Sequence, residues 1–229
     1  MLFRPLHGPL SAAPLLLLLL LLNLASGDSN LNDLQTSDSD LQTKNLFDAV
    51  ESDDADGVRA AVAAGARINE RGDAFTQGKQ TPLMFASLTG RTRALKALLA
   101  LKADPTIGEQ DGYTPLHGAA FQGRAAAAKA LLADASVPNT FHEDGFAPLH
   151  RACWGSSQGH TDTVRAFLKA GVAHDLMTQT SPAKRPIDIV NNKATRKLLQ
   201  EWARRHGKGA AVDAAAAVEG DDDDKGSEL

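Results

Sequence analysis

Apolar and polar positions in the middle of this chain recur in blocks of fixed length. Three phrases open alike: Thr81-Pro82-Leu83-Met84, Thr114-Pro115-Leu116-His117 and Ala147-Pro148-Leu149-His150, each 33 residues after the one before. A small pair follows each opening (Ala86-Ser87, Ala119-Ala120, Ala152-Cys153), and an apolar pair comes later (Leu98-Leu99, Leu131-Leu132, Phe167-Leu168). Proline second in the phrase reads as the first turn of a helix, where its missing N–H has no intrahelical partner to lose. The small pairs predict close approach of two helices, and the apolar pairs predict a face turned to the next unit. A glycine or its neighbour is expected to close each first helix at Gly90, Gly123 and Gly159. No unit of this size buries such a face alone, so neighbouring units must supply the core.

Two flanking segments carry weaker copies. Residues 45–69 have the helix–turn–helix body without the opening phrase, and residues 185–205 replace Pro-Leu-His with Pro186-Ile187-Asp188. The period, the Thr-Pro-Leu-His phrase and the small pairs together resemble ankyrin repeats. The resemblance implies an all-α solenoid of about five helix–turn–helix units with short turn-like fingers. It would occupy residues 45–206, divided as an N-terminal cap (45–80), three full repeats (81–113, 114–146, 147–184) and a C-terminal cap (185–206). Three departures stand out: a long loop over residues 69–80, extra residues in the third repeat at 155–158, and Lys102 and Ala135 where a helix-ending glycine is usual. If left-handed, each of those two residues costs on the order of 1 kcal/mol.

The repeats are bracketed by segments of other composition. Arg4 precedes an unbroken leucine run from Leu15 to Leu22, and Ala25-Ser26-Gly27 follows it. This order reads as a secretory signal peptide over residues 1–27, which places the chain in the secretory pathway, either secreted or in the lumen of the endoplasmic reticulum. An uncleaved membrane anchor is the alternative. Pro14 and Asn23 interrupt the apolar stretch and leave it short of the roughly 20 residues a spanning helix needs. Residues 28–44 are polar and read as a linker, although a short helix using Leu34 and Leu41 is compatible with the spacing. Residues 207–229 are Ala-rich, then acidic, and a block of like charges predicts a disordered tail. The final Glu228-Leu229 matches only half of the Lys-Asp-Glu-Leu retrieval signal.

The formal net charge is −4, and no basic stripe is present to neutralise a phosphate backbone, which argues against nucleic acid. One cysteine excludes an intramolecular disulfide. His142, His150, Cys153 and His160 lie close in sequence and suggest an enzyme or metal site, the last three above all, but their spacing fits no regular ligand pattern. The family resemblance implies hydrogen-bonding roles for His117 and His150 instead. No cofactor, metal or catalytic residue is expected.

The aromatic positions carry the functional reading. In ankyrin stacks the residue before the opening phrase and the two after the small pair point into the concave groove. By that resemblance, Leu88, Tyr113, Phe121, Gln122, Phe146 and Trp154 face the groove, with Glu143 and Asp144 on the adjoining finger. Exposed aromatic clusters are common anchors of protein interfaces. The expected function is a non-catalytic module, monomeric, that binds a protein partner and touches a membrane only if the leader is retained.

Overall fold

The computed structural model describes residues 31–72, 79–134 and 136–207. The chain divides into two compact units, residues 1–38 and 39–229. Of the first, the described part is the opening of one helix, and the repeats lie in the second. The expected signal segment (1–27), the tail beyond Gly207 and Ala135 fall outside the described residues.

Among the described residues the secondary structure is ten helices: α1 (Leu31–Glu51), α2 (Ala55–Ala63), α3 (Pro82–Thr89), α4 (Thr92–Ala100), α5 (Pro115–Phe121), α6 (Ala125–Leu132), α7 (Pro148–Trp154), α8 (Gln158–Lys169), α9 (Pro186–Ile189) and α10 (Lys193–His206). Helices α3, α5, α7 and α9 stack in one layer, and α2, α4, α6, α8 and α10 stack in the other. Proline holds the first position of every helix in the α3 layer, preceded by a residue in extended conformation. The core repeats with the sequence: Leu83, Leu116 and Leu149 lie between the layers, Ala86, Ala119 and Ala152 allow the helices to close, and Leu98, Leu131 and Phe167 hold the matching place in the outer helices. Each of these leucines is buried, so truncation to alanine should cost about 2–5 kcal/mol.

The openings are capped in four different ways. The Thr81 hydroxyl accepts from Met84 N–H at 3.2 Å. Thr114 turns its hydroxyl instead to His117 Nδ1, at 2.8 Å. Ala147 has no side-chain acceptor, and its own N–H donates to His150 Nδ1 at 3.1 Å. In the last unit Asp188 takes the histidine's place and accepts from Arg185 N–H at 3.0 Å. Bonds to Arg185, with burial opposing them weakly, hold the Asp188 carboxyl down at about 2.

Two sequence expectations need correction. The polar segment read as a linker is helical from Leu31 and runs without a break into the first cap. Its local pattern gives little reason for a helix; tertiary contacts do. Thr43 is buried and its hydroxyl accepts from Arg67 N–H at 3.1 Å, while Asp40 pairs with the Arg67 guanidinium at 2.5 Å. In the third repeat α7 ends at Trp154, and Gly159 does not close it but lies inside α8. Part of the inserted sequence therefore lengthens α8 at its start, and only Gly155–Ser157 form the turn. The reason is His160. A β carbon on Gly155 would sit 1.9 Å from that ring, so the chain must pass it without a side chain.

The fingers are tight reversals. Gly112 N–H bonds to Glu109 O at 3.0 Å, and Gly145 N–H to His142 O at 2.9 Å. Of the long loop at 69–80, residues 73–78 lie outside the described set, and Gly72 N–H closes its base on Gln80 O at 2.9 Å.

Candidate protein-binding groove

The groove is built where the fingers meet the inner helices, and its organising residue is Arg151. Phe85, Gly118 and Arg151 hold the same place in successive opening phrases. At Phe85 the ring meets Phe47 of α1, with centroids 6.3 Å apart. At Gly118 there is no side chain, and at Arg151 a long cation crosses under the finger. A cavity of about 190 Å³ lies over Gly118, lined by Met84, Leu88, Glu109, Tyr113, His117, Phe121 and Arg151. Glycine within a helix costs about 1 kcal/mol against alanine. Here a β carbon would press on Met84 Cε at 2.9 Å and on Leu88 at 3.1 Å.

Arg151 is held by charge and by rings. Its side chain is 7% exposed and pairs with Asp144. Its guanidinium also donates to the Tyr113 hydroxyl at 3.0 Å, and that hydroxyl donates to Asp144 at 3.2 Å. The triangle closes under three aromatic faces, with the guanidinium carbon 4.4 Å from the Trp154 centroid, 4.8 Å from Tyr113 and 5.2 Å from Phe146. Such contacts add roughly 0.5–2 kcal/mol each as water is excluded. Burial opposes ionisation of Asp144, yet bonds from His142, Arg151 and Phe146 N–H outweigh it and hold the carboxyl at about 2. Burial, helped by Asp144, pushes the Tyr113 hydroxyl up, so it stays protonated as a donor. His142 stacks on Tyr113 at 3.9 Å and bonds through Nε2 to Asp111 O at 2.7 Å, fixing one finger against the next.

The residues marked from sequence divide into three groups. Leu88, Tyr113 and Phe121 line the cavity together, and Phe121 is 53% exposed. Phe146 and Trp154 pack on each other at 4.9 Å and, with Asp144, surround Arg151 beside it. Gln122 and Glu143 are exposed and are not part of the cavity lining. Sequence reasoning passed over Arg151, Glu109, Met84 and Gly118. A signal for two of them was present, because an arginine and a glycine alternate with phenylalanine at one repeat position.

The histidine and cysteine grouping is taken up by structure. His150 Nδ1 accepts from Ala147 N–H, so Nε2 carries the proton it donates to Leu176 O at 2.8 Å. His117 Nε2 faces Phe146 O at 3.4 Å, which joins a helix start to the next repeat in the same way. His160 Nε2 donates to Phe121 O at 2.9 Å, and its Nδ1 meets the Ser157 hydroxyl at 2.7 Å. Cys153 is fully buried, and burial pushes its thiol up to about 12. Among the described residues no group of three or more His, Cys, Asp or Glu side chains is placed to hold a metal ion. No described helix is long and apolar enough to cross a membrane.

No match was found among curated proteins. The family model for ankyrin repeats (3 copies) matches residues 46–140 and 101–180, together more than half of the chain. With that match, the two stacked helical layers and the 33-residue period in agreement, the chain belongs to the ankyrin-repeat family.

Proposed function

We propose that this protein is a non-catalytic binding module whose groove, at the cavity between Leu88, Tyr113 and Phe121, captures a protein partner in the secretory lumen or outside the cell. The observation that carries this reading is Phe121. It is a large ring, 53% exposed, set at the mouth of a cavity that is already formed before any partner arrives. A preformed site spends little free energy on ordering, so apolar contact there turns into affinity. The secretory location is supported by the charged start, leucine run and small-residue exit of residues 1–27.

Phe121→Ala combined with Leu88→Ser tests the groove, because neither side chain takes part in the Arg151 triangle. The double variant should melt close to the wild type yet bind its partner, captured from a secretory-pathway extract, roughly thirtyfold more weakly. Undiminished binding would place the interface on another face. Sequencing the amino terminus of the mature protein tests the location: a start near Asp28 means cleavage, and an intact Met1 means tethering.

A further inference from the structure

The cavity carries an unbalanced charge. Arg151 is already neutralised by Asp144, whereas Glu109, half-buried in the same lining, has no lysine, arginine or histidine within ion-pair distance among the described residues. Its side chain bonds with Gln80, and the titratable groups that act on it are Asp111 and His142. Burial first, then repulsion from Asp111, push its carboxyl up, and the Gln80 bond and the attraction of His142 offset this only in part. Exposed Glu143 adds to the negative character of these fingers. The remaining walls are apolar: Met84, Leu88, Phe121 and the face of Tyr113. One polar atom is also unmet, since Arg151 Nε is buried without an acceptor.

We infer that the cavity receives one bulky apolar side chain of a partner polypeptide whose adjacent lysine or arginine pairs with Glu109. This rests on the groove reading above and names its ligand class. The volume supports it, because a cavity of roughly 150 Å³ already admits a benzene-sized group, and this one holds about 190 Å³. Charge supports it as well. An acidic peptide would meet Glu109, Asp111 and Glu143 with the cavity's own Arg151 already paired and with Arg124 and Arg71 held on the Leu88 and Gly108 carbonyls, and like-charge contact of that kind rejects wrong partners.

Selection of a random-peptide phage library on the full-length protein tests this, followed by polarisation measurements with the enriched peptides made synthetically. The expected result is enrichment of leucine, methionine or phenylalanine beside lysine or arginine. Binding should weaken roughly fivefold in Glu109→Gln, and raised salt should weaken binding to the wild type but much less to that variant. Selection on Glu109→Lys, checked for an unchanged melt, should shift the enriched neighbours from basic to acidic. Peptides that require Phe121 yet lack a basic neighbour, or that ignore Glu109→Gln, would overturn the inference and leave the groove standing. Enriched peptides that bind Phe121→Ala as well as the wild type, or no enrichment at all, would overturn both.

Discussion

Arg151 and Asp144, seven residues apart in the chain, pair across the junction between a finger and the helix that follows it. The two ends of this pair are unequal. The arginine side chain is 7% exposed and the aspartate 36%, so the carboxylate can regain water if its partner is lost, and the guanidinium cannot. Asp144→Asn should therefore destabilise the protein by about 2–3 kcal/mol, and Arg151→Met by less. Urea melts of both single variants and the double variant check this. The double variant should fall short of the summed losses by more than about 0.5 kcal/mol.

Acid should weaken the stack in two separable steps. Burial, the largest cause, lowers the His117 pKa from 6.5 to about 4, so the folded protein resists the proton that the unfolded chain accepts. Between those values the unfolded state binds more protons, and stability falls as pH drops from 6.5 to about 4. The loss is on the order of 3 kcal/mol, with His150 shifted in the same direction. Asp144 acts lower: its pKa is depressed, so its contribution is present above 3.8 and disappears as pH falls through about 2. Melts at stepped pH should show both slopes, and His117→Asn should flatten the upper one.

Lys102 ends α4 with φ at 65°, the place where Gly65 ends α2 and Gly171 ends α8. A β carbon there costs backbone strain that glycine avoids. Lys102→Gly should raise stability by a few tenths to about 1 kcal/mol, measured by thermal melting. A loss would show that the lysine side chain contributes more than its backbone costs.

Cys153 should be inert in the folded protein. A thiol that titrates at about 12 holds almost no thiolate at neutral pH, and this one has no exposed surface. Labelling with a disulfide reagent should be complete at once in denaturant and should track unfolding without it. Rapid labelling under native conditions would reopen a chemical role for this residue.

The repeats were legible because one physical demand recurs: each unit must present leucine and alanine at the same heights for the next unit to close on it. What escaped was whatever depends on another part of the chain. Near Thr43 only the spacing of Leu34 and Leu41 allowed for a helix, because the partner that stabilises it is Arg67, in the loop after α2. Nothing around Arg151 announces a ligand cavity, because the space over Gly118 exists only once α3, α5, α7 and the finger at residues 109–112 are in place. The end of α7 was misread because a glycine suggested a stop, while the ring of His160 decided where the chain could turn.

The imidazole bonds carry a consequence for how the stack can be cut. His117 reaches forward to Phe146 O, His150 reaches forward to Leu176 O, and His160 reaches back to Phe121 O. A fragment that ends with the outer helix of its last repeat strands a proton donor at its own heart. One that begins after Phe121 strands another. The smallest self-sufficient piece therefore runs from one inner helix through the finger beyond the next helix pair. Truncation, duplication and mechanical peeling should all find their natural breakpoints past a finger and before the next inner helix, and not between an outer helix and the finger that follows it.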